Sequence, residues 1–103
     1  MADMFNLIRQ AQAMKEKMAQ FQEELERQSF TGTAGGGAVT VTVNGKHEVQ
    51  KVVVDPKVVA SGDIEMLQDL VQAAVNDAGR QVKAKLKAEV SKMTGGLGLP
   101  GLF

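Results

Sequence analysis

Apolar side chains in the N-terminal quarter of the chain recur at alternating spacings of three and four residues. No Gly or Pro lies between Asp3 and Gln28, so the pattern predicts one long helix over this range. A stripe with this spacing is a heptad seam, and in coiled coils such a seam pairs with a second helix. The seam comprises Met4, Leu7, Ala11, Met14, Met18, Phe21 and Leu25. A second helix, most simply from another copy of the chain, is expected to cover it.

The predicted dimer contact lies in the second half of this seam. Its residues are Met14, Met18, Phe21 and Leu25. Lys15 and Lys17 flank the seam at positions that form interhelical salt bridges in coiled coils, here with Glu24 of the facing helix.

The middle of the chain alternates with a period of two, which is typical of half-buried strands. We predict strands over residues 29–34, 38–43 and 47–54, joined into an antiparallel meander. Val39, Val41 and Val43 are expected to share the buried face. Asn44-Gly45 is a strong signal for a short hairpin turn. In a regular third strand, Val49 and Val52 would point to opposite faces of the sheet. A bulge near residues 50–51 would place both on the same face, and we predict one there.

The three consecutive glycines Gly35, Gly36 and Gly37 raise the question of a phosphate-binding loop. Such a loop joins a strand to a helix, whose N-terminus faces the anion. Here the alternating run "AVTVTV" follows, so the glycines predict a turn between two strands.

The remaining segments predict a second long helix and a terminal tail. Asp55 and Pro56 are suited to begin a short helical turn, and a helix from residue 64 to about Lys92 follows. Gly79 weakens that helix somewhat. Its apolar stripe comprises Ile64, Leu67, Val71, Ala74, Ala78, Val82, Leu86 and Val90. The predicted fold is α+β with element order α-β-β-β-α, as one domain over residues 1–93 with a flexible Gly-rich tail over residues 94–103.

Composition gives little support for catalysis. The chain has no Cys and a single histidine, His47, which adjoins the hairpin signal and is expected to be a surface or half-buried strand residue. The acids of the second helix are explained by its dipole, namely Asp63, Glu65, Asp69 and Asp77. We therefore predict a protein that is not an enzyme and has no metal, cofactor or small-molecule substrate. The sequence shows no signal peptide and no membrane span, which favours the cytoplasm.

Charge is balanced overall but uneven along the chain. Twelve basic residues face twelve acidic ones, yet the second half of the last helix is basic. At about 100° per residue, Arg80, Lys83 and Lys87 fall within an arc of roughly 60°. Two interpretations remain open for this basic ridge, defined as Arg80, Lys83 and Lys87. It can complement the helix dipole, or it can contact the phosphates of a duplex.

Several segments, in order and spacing, resemble the YbaB/EbfC family of nucleoid-associated proteins. They are "QAQAMKEKMAQFQEEL", "GTAGGG", "NGKHEV", "VDP", "EMLQDLVQAAVNDA" and "TGGLGLPGLF", which together span nearly the whole chain. The resemblance implies a tweezer-like homodimer that binds duplex DNA in the bacterial nucleoid with little base specificity and influences nucleoid organisation and gene expression. It implies DNA contacts from basic residues of the first and last helices, here Arg9, Lys15, Lys17, Arg80, Lys83, Lys85 and Lys87.

A competing hypothesis is a protein-interaction module that acts with replication or repair proteins. Zero net charge, the Met-rich seam and the apolar terminal tail favour this alternative.

Overall fold

The structure, a computed structural model, describes residues 2–93 and has the predicted order of long elements. They are α1 (Ala2–Arg27), β1 (Ser29–Ala34), β2 (Val39–Asn44), β3 (Val49–Val54), α2 (Pro56–Ala60) and α3 (Ile64–Met93). The strands form one antiparallel sheet in the order β1-β2-β3. The α-β-β-β-α prediction is thereby confirmed, with α2 as the short turn that Asp55 and Pro56 indicated. The tail predicted over residues 94–103 lies outside the described residues.

The core forms between one face of the sheet and α3. As predicted, Val39, Val41 and Val43 share a face and are almost completely buried. Alternation of side chains along β2 directs these three valines to the same side. Ala74, Ala78 and Val82 of α3 pack against them.

Gly32 allows α3 to lie close to the sheet. It faces Val41 across the β1–β2 pair, and a Cβ at this position would overlap backbone atoms of Ala74 and Ala78. A glycine inside a strand generally weakens it. In the structure the missing side chain instead permits backbone contact between strand and helix.

Side-chain caps fix the starts of both later helices. The Asp55 carboxylate accepts a hydrogen bond from the backbone N–H of Lys57 at 2.9 Å, as its position before Pro56 predicted. The Asp63 carboxylate accepts from the N–H of Met66 at 3.0 Å. Each bond satisfies an N–H that has no partner within its own helix.

The two hairpins differ in how well the sequence predicted them. Gly35, Gly36 and Gly37 all have positive φ, so the triplet is a turn between strands as expected. The bulge is also confirmed, because Thr42 pairs with Lys51 and Val43 pairs with Val49, leaving residue 50 extra.

The Asn44-Gly45 turn is longer than predicted, and β3 begins at Val49 rather than at His47. The left-handed residue of this turn is His47, with φ of 63°. Gly45 is required for a different reason, since a Cβ there would overlap the backbone of Leu25 in α1. The expectation that His47 lies in a strand was therefore wrong.

The two edges of the sheet are not equivalent. At the β1 edge, Asp77 accepts a hydrogen bond from the N–H of Thr33 at 3.0 Å, and Gln81 donates one to the carbonyl of Thr31 at 2.6 Å. These α3 side chains occupy the backbone groups that another strand would need. Within residues 2–93, no strand lies next to the β3 edge. An unpaired edge of this kind is a template for further pairing.

The sheet face that packs against α3 is only partly covered, because the part of that face formed by β3 is exposed to solvent. Val52 pairs with Val41 and Val49 pairs with Val43, so all four side chains lie on the α3 side of the sheet. The helix crosses β1 and β2, however, and leaves Val49 and Val52 52% and 48% exposed. The sheet therefore presents an apolar strip beside its open edge.

Helix α1 extends away from the sheet. Its C-terminal end packs against β2, where Phe21 and Leu25 are buried. Met4, Leu7 and Met14 of the same seam are 70%, 64% and 48% exposed. The folded chain is elongated, with a long dimension of 71 Å.

Candidate nucleic-acid interface

The basic ridge lies in the second half of α3, where all three of its residues are exposed and the packed residues Ala78 and Val82 point elsewhere. The Arg80 guanidinium is 3.6 Å from the Asp77 carboxylate. Lys83 and Lys87 form no ion pair with any residue in the range 2–93. Two of the three cations are therefore available to an external anion.

A second basic group lies on another side of α3. One oxygen of Glu89 is 3.2 Å from the Lys85 ammonium and 3.7 Å from that of Lys92. By helical periodicity, Lys85 and Lys92 are rotated by roughly 140° and 120° from Arg80. Lys85 therefore does not join the basic ridge, although the sequence placed it among the same DNA-binding residues.

Glu89 is held in its charged form by these lysines. The hydrogen bond from Lys85 is the main cause that lowers the pKa of Glu89, and the nearby charge of Lys92 adds to it against an opposing desolvation effect. Because Glu89 offsets one positive charge, this group contributes a net charge of about +1 to the surface.

The candidate residues of α1 do not form one patch. Lys17 lines an open groove of about 490 Å³ together with Gln10, Ala13, Met14 and Lys92. This groove brings a cation of α1 next to one of α3, a pairing that sequence spacing could not show. Arg9 is rotated by about 80° from Lys17, whereas Lys15 is rotated by about 160° and lies on the other side of the helix. The predicted salt bridges of Lys15 and Lys17 to a facing helix stay a prediction.

The four residues predicted for the dimer interface differ in accessibility. Phe21 and Leu25 are 6% and 7% exposed within a single chain. Met18 is half-buried and Met14 is exposed. Within one chain, Phe21 and Leu25 therefore have little surface left for a partner. Val49 and Val52 were not predicted to form exposed apolar surface. The available signal was that the third strand carries valines on both of its faces.

Opposite charges are segregated along α3. Asp63, which caps the helix, and Glu65 and Asp69 of its first half lie around an open groove of about 480 Å³, and the second half of α3 carries the cations described above. The zero net charge therefore conceals an acidic end and a basic end. Arg80 lies about 16 Å from Asp69 along the helix axis, which is more than the Debye length of about 8 Å at physiological salt. Asp77, 3.6 Å from Arg80, is closer to the basic end.

The model of the YbaB/EbfC DNA-binding family matches residues 1–97. The chain belongs to the YbaB/EbfC DNA-binding family. This finding confirms the resemblance that the sequence segments indicated, and it supports DNA as a partner of the protein.

Relatives of this YbaB/EbfC chain match it over most of their length. A nucleoid-associated protein of Acetivibrio thermocellus is 50% identical over 99 residues, which cover 95% of this chain and 88% of that protein. A nucleoid-associated protein of Clostridium kluyveri is 45% identical over 101 residues, with 98% and 89% coverage. The crystal structure of an uncharacterised protein from Helicobacter pylori superposes with a TM-score of 0.74 and 27% identity, covering 85% of this chain and 92% of that one.

Among the helices formed by residues 2–93, none is sufficiently long and apolar to cross a membrane.

Proposed function

We propose that this YbaB/EbfC protein binds duplex DNA as a homodimer and contributes to the organisation of the bacterial nucleoid and to gene expression. The observation that carries the proposal is the basic ridge on α3, where Lys83 and Lys87 are exposed and have no carboxylate partner among the described residues. Long flexible cations on one helix face suit phosphate oxygens, which are the same at every base pair. Little base discrimination is therefore expected.

A second copy of the chain is the partner that best explains the uncovered apolar surface. Val49 and Val52 lie beside the open β3 edge, and Met14 lies on the exposed part of α1. Apolar surface that is contiguous with an unpaired strand is stabilised when another chain covers it. A symmetric dimer would also present two basic ridges to one duplex.

The DNA contact is tested by replacing the ridge residues Arg80, Lys83 and Lys87 with Gln. Six phosphates contacted by a dimer would give log Kd against log salt a slope of magnitude about 5. The triple variant should reduce this slope strongly and weaken binding to unrelated duplexes equally. Fluorescence anisotropy at several salt concentrations measures both quantities.

A matched control removes the same charge from surfaces outside the proposed contact. This variant replaces Arg27, Lys51 and Lys57 with Gln, three exposed residues of the other elements. If the control and ridge variants lost the same affinity, the effect would reflect net charge, and the α3 contact would be wrong.

The dimer is tested with two neighbouring valines that have almost equal exposure. Val52 is 48% exposed on the α3 side of the sheet, whereas Val53 is 47% exposed on the opposite side. Val52→Lys should convert the dimer to a monomer in light scattering, because it places a charge in the apolar strip. Val53→Lys should remain dimeric. A monomeric wild-type protein at micromolar concentration would contradict the proposal.

A second candidate function is binding to another protein. It is favoured by the first turns of α1, where Met4, Phe5 and Ile8 are 70%, 67% and 51% exposed around a groove of about 500 Å³. Replacing these three residues with Ser should abolish capture of a protein from cytosol while leaving DNA affinity unchanged. Loss of DNA binding in this variant would instead assign the apolar turns to the DNA-binding dimer.

A further inference from the structure

An open cleft of about 350 Å³ lies between the β2–β3 turn and the middle of α3. It is lined by His47, Val75, Asn76, Gly79, Arg80 and Lys83. The cleft therefore includes two residues of the basic ridge and the chain's single histidine. No carboxylate lies among these lining residues.

The position of His47 is fixed by the turn that carries it. The Asn44 side chain is mostly buried, and its oxygen accepts hydrogen bonds from the N–H groups of Lys46 and Glu48 at 2.9 and 3.0 Å. The backbone N–H of His47 donates to the carbonyl of Asn44 at 3.0 Å. Gly45 contacts the backbone of Leu25, so the turn is also held against α1. The imidazole therefore projects from a constrained loop.

The imidazole faces α3 at a residue that has no side chain. A Cβ on Gly79 would lie 3.8 Å from Nδ1 of His47. Because Gly79 presents only backbone there, the space between the ring, Arg80 and Lys83 stays open. The Asp77 carboxylate lies beside this space, with one oxygen 3.6 Å from the Arg80 guanidinium. Its other oxygen accepts a hydrogen bond from the N–H of Thr33 on β1.

We propose that this cleft binds a phosphate group of the DNA backbone, with His47 as a contact residue alongside Arg80 and Lys83. A phosphodiester offers oxygen acceptors in several directions, which suits donors that converge from a turn and a helix. The β2–β3 turn is then a further DNA-contacting element, in addition to the two long helices. This inference rests on the proposed function, because it places one phosphate of the bound duplex.

The backbone conformation of His47 makes it possible to distinguish a structural role of this residue from a role in binding. At φ of 63°, histidine is less favourable than glycine, which adopts the left-handed region without a steric penalty. His47→Gly should therefore keep or raise the melting temperature. Loss of one hydrogen bond to a charged phosphate should weaken duplex binding by about tenfold. A residue with a purely structural role would not give these opposite responses.

The test measures anisotropy with a random-sequence duplex for wild type, His47→Gly and Lys87→Gln, at one pH and one salt concentration. Lys87 belongs to the basic ridge but does not line the cleft. Weaker binding by both variants, with the melting temperature of His47→Gly maintained, supports the proposal. Weaker binding by Lys87→Gln with wild-type binding by His47→Gly overturns it and leaves the proposed function intact.

A second measurement tests whether the cleft binds phosphate even if the protein does not bind the duplex. Failure to bind the duplex would overturn the proposed function. Inorganic phosphate is titrated into the protein while the imidazole resonances of His47 are followed by NMR. If the His47 resonances shift saturably with phosphate, and the shifts disappear in Lys83→Gln, the cleft is an anion site that binds free phosphate. Resonances that do not move with either phosphate or duplex overturn the inference.

Discussion

Asp77 lies next to the basic ridge, and removal of its negative charge should strengthen DNA binding. It lies 3.6 Å from Arg80 and accepts a hydrogen bond from the N–H of Thr33 at 3.0 Å. Asparagine has nearly the same shape and retains an oxygen that can accept that bond. Asp77→Asn therefore removes a negative charge and frees Arg80, while the cover over the β1 edge stays in place.

The expected gain follows from the distance between this carboxylate and a bound phosphate. A phosphate held by Arg80 would lie about 7 Å from Asp77, and two unit charges at that separation in water repel each other by about 0.6 kcal/mol. Two such pairs in a dimer amount to about 1.2 kcal/mol, which corresponds to roughly eightfold tighter binding. Because salt screens the repulsion, the gain should shrink as ionic strength rises.

The assay is fluorescence anisotropy at low and moderate salt, with a melting curve for each variant. Asp69→Asn is the matched control, since it makes the same change two turns earlier on α3, about 12 Å along the helix axis. Tighter binding by Asp77→Asn alone is the expected result. Equal gains from both variants, or no gain from Asp77→Asn with its stability intact, would refute a contact at the ridge.

Three substitutions test the packing and the ion pairs of α3. Gly32→Ala should lower the free energy of unfolding by about 2 kcal/mol or more, because its Cβ overlaps the α3 backbone at Ala78. Gly79→Ala, with room for a Cβ, should raise the same quantity by up to about 1 kcal/mol, and urea unfolding measures both. The hydrogen bond from Lys85 lowers the pKa of Glu89, so this carboxylate stabilises the fold above its unfolded pKa. Glu89→Gln should therefore be less stable than wild type at neutral pH, and the difference should vanish as pH falls through the folded pKa; a difference independent of pH would contradict this assignment.

The sequence determined most of the local structure of this chain. Alternation in "VTVTV" predicted the buried face of β2, and the change of parity between Val49 and Val52 predicted the bulge that the strand pairing contains. The glycine triplet and the Asp55-Pro56 cap were read correctly for the same reason. Each depends on backbone preferences and side chains within a few residues, and this information is present in a short segment.

Family membership and its DNA partner could also be predicted from the sequence, since the segments that carry the resemblance keep their order over the whole chain. Which basic side chains lie together on one surface could not be predicted from the sequence. Helical periodicity separated Lys85 from Arg80, but only the relative position of α1 and α3 in the fold shows that Lys17 and Lys92 line the same groove.

Tertiary structure alone decided which apolar residues are covered and which glycines are indispensable. Phe21 and Leu25 continue the same seam as Met14, yet they are buried because β2 packs against that end of α1, with Gly45 of the following turn close to Leu25. Gly32 and Gly45 are required by backbone from other elements. A periodic pattern shows which side chains share a face, but the element that covers the face is set by packing between segments distant in sequence.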